Sequence, residues 1–252
     1  MKKIRFLIIF LLFLAIVAGV FYYQKTSQKV VSDKEIVNEE IPEKSNPEII
    51  IEESIKKQEE FSEPILLSSV LLEVPFMSQA PFAKWDALHE DACEEASLIM
   101  LKYFSDNKKS ITKEEAEKEI QGMVTFEKKN KYSLSITLDE LNEVAGKYYN
   151  MKTGRVEKNI TADKIKKELS DGKPVIVGAA GKVLPNPNFK NGGPNYHMLV
   201  VIGYDEKGFI TNDPGTRLGK SFRYTFEGLY KSIHDWNSKN ILNGGKDYLV
   251  FD

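Results

Sequence analysis

The sequence has one cysteine, Cys93, and three histidines, His89, His197 and His234. A single cysteine excludes an intramolecular disulfide framework and any multi-cysteine zinc or iron–sulfur site. A surplus of either charge is also missing: 35 Lys and Arg stand against 37 Asp and Glu, for a formal net charge of −2. That argues against a nucleic-acid partner, whose phosphates are met by a basic excess. Long apolar runs are scarce too, with one in the whole chain, which excludes a multi-span membrane protein. Residues 24–64 contain no glycine and a single aromatic, Phe61.

The near-zero total hides three unlike pieces. Residues 1–23 carry Lys2, Lys3 and Arg5 and no acid. Within them Phe6 to Tyr23 is an uncharged run of 18 residues, which as a helix would span about 27 Å, enough for a hydrocarbon layer. We read it as an uncleaved single-pass anchor, the rival being a cleaved signal peptide, whose apolar core is usually shorter. The basic N-terminus favours a cytoplasmic start and a domain outside the cell membrane, secreted if the segment is cleaved. Residues 24–64, with 11 acids and 6 lysines, bury too little apolar surface to offset ordering entropy and read as a charged flexible linker. Residues 65–252 sum to zero charge and are long enough for one domain with its own core.

Within that domain, Asp91 with Glu94, Thr112 with Glu115, and Thr137 with Glu140 have the spacing of capping boxes, and Thr161 opens a fourth helix closed by Asp171-Gly172. Pro174 to Ala180, His197 to Tyr204, Phe209 to Asn212, Ser221 to Tyr224 and Asp247 to Phe251 read as strands. The second and third form a hairpin, with a three-residue bulged turn expected at 206–208. Helices first and an antiparallel sheet afterwards make an α+β domain.

Cys93 falls at the start of the first of these helices, where free N–H groups and the dipole stabilise a thiolate, and where its own N–H can bind an oxyanion. Taken alone it reads as a small core hydrophobe. His197 opens one strand of the hairpin and Asp213 ends the other, so a turn with an odd number of residues brings imidazole and carboxylate to one face. A twist or a bulge near Asn212 is needed to close the remaining distance. Taken singly, His197 is a polar strand end and Asp213 the start of a turn. His89 is expected to be an exposed loop histidine, and His234 a packing or surface residue. Trp85, Tyr196 and the Gly/Pro-rich stretch 181–195 are expected to wall a cleft.

Taken together, Val74-Pro75-Phe76, Ser78-Gln79, Cys93 at a helix start, Gly172-Lys173-Pro174-Val175, and His197 followed by Gly203-Tyr204 and Asp213-Pro214 resemble the C39-like peptidases, within the papain-like cysteine peptidases. The resemblance covers most of 72–215. It implies a papain-like fold, the Cys93 helix packed on an antiparallel sheet. Cys93 would be the nucleophile, His197 the general base and then acid, and Asp213, where papain uses Asn, the residue that orients His197. Gln79 would join the Cys93 N–H in an oxyanion hole. The substrate would be a peptide or protein, and no metal or organic cofactor is implied. Two departures stand out. The compact pattern has Gln six residues before Cys, which is Ala87 here, whereas Gln79 lies 14 before it. Glu94 stands where many relatives have Gly and would raise the thiol pKa. The expected function is a membrane-anchored, extracytoplasmic cysteine peptidase. The alternatives are a cell-wall peptide amidase or endopeptidase with the same triad, and a non-catalytic peptidase-like module for binding or display. The 252 residues contain no ATP-binding domain, so the leader processing of export-linked relatives does not carry over.

Overall fold

The computed structural model describes residues 67–252; the expected anchor and the whole of the linker lie outside them. Among the described residues no helix is long and apolar enough to cross a membrane.

Three helices come first: α1 (Cys93–Ser105), α2 (Lys113–Lys129) and α3 (Leu138–Tyr149). The caps of α2 and α3 are those expected. Glu115 N–H donates to Thr112 Oγ1 at 3.2 Å and Thr112 N–H donates to Glu115 Oε2 at 2.8 Å, with the same reciprocal pair at Thr137 and Glu140. Each such cap is worth about 1 kcal/mol. Thr161 caps α4 (Ala162–Ser170), which ends at Asp171 with Gly172 at φ +81°, a conformation that favours glycine.

The sheet is wholly antiparallel. Its strands are β1 (Val70–Leu71), β2 (Gly154–Glu157), β3 (Val175–Ala180), β4 (Tyr196–Asp205), β5 (Gly208–Asn212), β6 (Phe222–Tyr224) and β7 (Tyr248–Phe251). They lie in the order β2-β7-β3-β4-β5-β6, with β1 beside the far end of β4. A short helix, α5 (Phe226–Ser232), follows β6. The expected α+β class holds, with β1, β2 and α5 added. Their short or half-buried sequences carry little periodic signal.

Helices cover both faces of the sheet. Met198, Val200 and Ile202 pack into the core built by α1, α2 and α3, whereas Leu199 and Val201 pack with Ile165, Leu169 and Leu229 of α4 and α5. This alternation is the period-2 pattern of a strand buried on both sides. It breaks after Ile202: Tyr204 returns to the α4–α5 face. The pairing shows why, because Val201 faces Thr211 while Gly203 faces Ile210, leaving Ile202 as the extra residue of a bulge.

That bulge sets the parity of the site. The hairpin closes with Asp205 opposite Gly208, a two-residue turn rather than the three-residue one expected, so the odd residue sits within β4 instead. Continuing the register from Val200 opposite Asn212 places Asp213 opposite Leu199, on the face that His197 shares. Without the bulge the two side chains would lie on opposite faces.

Candidate functional site

α1 starts at Cys93, but its N-cap is Ala92, with no side-chain hydrogen bond. The expected Asp91 cap does not form, and Asp91 lies on the wall of a cleft of about 630 Å³. The Cys93 N–H, as the first of the helix, has no acceptor within the helix.

His197 and Asp213 are both buried and meet directly, Nε2 to Oδ1 at 2.8 Å. Their bond leaves imidazole Nδ1 for another partner. Asp213 is held on every side. Gly215 N–H donates to Oδ1 at 3.0 Å, and Tyr224 Oη and Asn186 Nδ2 donate to Oδ2 at 2.6 and 3.0 Å. Burial works against its charge, yet His197 and these donors outweigh burial and hold the carboxyl below its usual range. Phe189 meets the imidazole edge to face at 5.3 Å. The sequence reading missed Asn186 and Tyr224; a buried carboxylate needing several donors is the signal that could have called for them.

Cys93 is buried, packed with Met198 and Val200 in the α1 core, and is not among the residues that line the cleft. Its thiol donates to Glu94 Oε2 at 2.9 Å, the Met198 N–H lies against the sulfur, and among the described residues no hydrogen bond joins it to His197. Burial first, and Glu94 second, push the thiol well above its ordinary pKa. Burial and the neighbouring Glu95 push Glu94 itself up to about 8. Glu95 and Glu127 form a further buried pair, both raised chiefly by burial.

Gln79 shares the cleft wall with His197. Its amide donates both hydrogens to loop carbonyls, His89 O at 2.8 Å and Glu90 O at 3.1 Å, and its Oε1 is buried without a partner. Gln79 therefore pins the inserted loop ahead of α1. His89, expected to be exposed, is buried instead: Nδ1 meets Asp86 at 2.7 Å and Nε2 meets Glu117 of α2 at 3.0 Å. These two carboxylates fold the insertion against the helix. His234 is half-buried, with Nδ1 bonded to Gly244 O at 3.0 Å.

Trp85, residues 188–191, Gly193 and Pro194 wall the cleft as expected. Tyr196 does not: it lies in the core with its hydroxyl 3.3 Å from Asp235. The cleft is mixed in charge. Glu90 and Asp91 come from the segment entering α1, and Lys190 and Arg217 from the loops after β3 and β5. Among the described residues no group of three or more His, Cys, Asp or Glu is arranged to hold a metal ion.

The model of the family described as "Peptidase_C39 like family" matches residues 71–240. Among solved structures, a crystal structure described as that of a C39-like peptidase from Bacillus anthracis is 17% identical. The match covers 73% of this chain and 97% of that one, with a TM-score of 0.49. No curated protein matches the chain.

Proposed function

The chain belongs to the Peptidase_C39 like family, and on that premise we propose that it is a cysteine peptidase working through Cys93, His197 and Asp213. The observation that carries this reading is the buried His197–Asp213 bond of 2.8 Å at a cleft whose wall also holds Asp91, two residues ahead of Cys93. Asp213 fixes the Nε2–H tautomer and the ring plane, so Nδ1 is the nitrogen that takes the proton from the Cys93 sulfur. The sulfur attacks a peptide carbonyl, His197 returns the proton to the leaving amine, and water, with its proton drawn off by His197, hydrolyses the thioester. The Cys93 N–H meets the oxyanion, and Gln79 joins it by exchanging its longer bond, to Glu90, for the new charge. Thiol and imidazole close on each other when substrate fills the cleft, as such contacts often tighten only in the complex. The basic-then-apolar segment 1–23 supports an anchor at the cell membrane, with the domain on the extracytoplasmic side.

The test is iodoacetamide alkylation of Cys93 against pH, in the full chain and in His197→Ala. A reactive limb well below pH 8.5 that His197→Ala removes supports the Cys–His pair. Identical profiles would sink it. A second reading has one observation behind it: the thiol is bonded to Glu94 rather than His197, as in a peptidase-like module that binds peptides without cutting them, and identical profiles would bring this reading forward.

Gly215 gives a smaller prediction. A Cβ there would lie 2.8 Å from His197 Cε1 and 3.0 Å from Phe189, so Gly215→Ala must displace the imidazole. Hydrolysis of a peptide library is expected to fall about 10- to 100-fold, since misplacement by an ångström is worth that much, while the circular dichroism spectrum stays unchanged.

A further inference from the structure

We propose that Glu94 is a further catalytic residue: a neutral carboxylic acid whose O–H donates a hydrogen bond to the Cys93 sulfur and stabilises the thiolate once His197 has taken the thiol proton. The inference rests on the peptidase reading and deepens it.

The geometry carries it. Glu94 Oε2 lies 2.9 Å from Cys93 Sγ, and the whole side chain is buried. No group meets hydrogen-bond geometry at Oε1; the amides of Glu94 itself and of Ile136 lie close enough only to ease the cost of its charge. The groups facing Glu94 are acids or neutral. On its own helix they are Cys93 and Glu95; from α2 comes Glu127, and from β4 the hydroxyl of Tyr196, itself bonded to Asp235. Among the described residues no lysine, arginine or histidine is paired with Glu94, Glu95 or Glu127 in an ion pair within 4.0 Å. Three carboxyls gathered in a low-dielectric interior without a cation are driven to hold protons. A protonated carboxyl is a donor, and the acceptor that the structure sets within reach of Oε2 is the sulfur. The rise of the Glu94 pKa to about 8 agrees with this.

The thiolate then meets the Glu94 O–H at the positive end of α1, and the nearby Met198 amide also favours its charge. This is the use of a buried neutral acid known from ketosteroid isomerase. Protons balance: His197 Nδ1 takes the thiol proton, Glu94 keeps its own and shares it with S⁻, and the bond lapses when the sulfur becomes a thioester. Above about pH 8 Glu94 ionises and its charge holds the proton on the thiol.

The experiment compares alkylation rates by iodoacetamide from pH 5 to 9.5 in the full chain, Glu94→Gln, Glu94→Ala and His197→Ala. Glu94→Ala is expected to lose about tenfold or more at pH 6.5, the worth of one hydrogen bond to a charge. Glu94→Gln, whose amide still donates, is expected to stay within about threefold at that pH. The full chain is expected to level off near pH 8, and Glu94→Gln to keep rising. Glu94→Ala reacting as fast as the full chain or faster would overturn the proposal, making Glu94 a latch that holds the thiol idle. If Glu94→Ala does not fold, the decision passes to the comparison above pH 8, where parallel curves for the full chain and Glu94→Gln overturn it. The His197→Ala arm reads the peptidase reading separately: loss of the low-pH limb sustains it whatever Glu94 does, and an unchanged limb refutes it even if the Glu94 variants differ.

Discussion

Asp213→Ala is expected to destabilise the domain by about 3–5 kcal/mol, the usual penalty for breaking a buried ion pair, and to lower peptide hydrolysis by about 10³- to 10⁴-fold, as loss of a histidine-orienting carboxylate does elsewhere. The size follows from how many donors converge on this carboxylate. Removing it leaves His197 Nε2, Gly215 N–H, Tyr224 Oη and Asn186 Nδ2 facing a void, and each buried donor without an acceptor is penalised by its own desolvation. Asp213→Asn separates shape from charge. An amide has one oxygen, so if it faces His197 and Gly215, its NH₂ group faces Tyr224 and Asn186. The Tyr224 hydroxyl can rotate to accept, but Asn186 can do so only by flipping its amide, which would take its Oδ1 from Asn188 N–H, now 3.0 Å away. An Asn is therefore not a neutral exchange in this pocket, although papain manages with one. Asp213→Asn is expected to fall between the full chain and Asp213→Ala in both urea unfolding and hydrolysis. An Asp213→Ala protein with unaltered unfolding midpoint and alkylation profile would show that the pair neither supports the fold nor orients the imidazole.

What was legible in the sequence is what local chemistry decides. The Thr112 and Thr137 capping boxes and the Asp171-Gly172 stop stand where their spacing puts them, because a cap is satisfied within four residues whatever the tertiary fold does. Asp91 shows the limit: its spacing to Glu94 is that of a cap, yet Asp91 lies on the cleft wall and Glu94 has turned to the sulfur. The need for one odd residue between His197 and Asp213 could be read from strand parity. Its position could not, since Ile202 is one apolar residue in a run of apolar residues and nothing local marks it as the bulge. Asn186 and Tyr224 were out of reach for a related reason: 27 and 11 residues from Asp213, they meet it only through the order of strands and loops. His89 escaped because its two carboxylate partners lie on different segments, one of them 28 residues away.

The three acids beneath Cys93 predict an unusual pH dependence of stability. Glu94, Glu95 and Glu127 are each buried, and burial is the first cause that raises each of them. In the unfolded chain all three would titrate near 4.5, so between that value and their folded values the folded state binds more protons than the unfolded one. Stability then falls as pH rises. The contribution is whole below about 4.5 and is lost as pH climbs through the folded values, for Glu94 about 8. Asp213 acts with the opposite sign, its lowered pKa adding stability that disappears only as pH drops through the acid range. The optimum is therefore expected near pH 5. From pH 5 to its folded value Glu94 alone is expected to lose on the order of 4 kcal/mol, because each tenfold fall in proton concentration costs a group held protonated about 1.36 kcal/mol. For a domain of this size that is about 10 °C in Tm. Thermal unfolding of the full chain in detergent, stepped from pH 5 to 8.5, measures it. Glu95→Gln and Glu127→Gln are expected to flatten the slope, each removing a group that must hold its proton to stay buried. A Tm that stays level, or rises, across this range would mean that the acids are solvated or neutralised in the native protein. The same result would remove the low-dielectric setting on which the neutral Glu94 beside the sulfur depends.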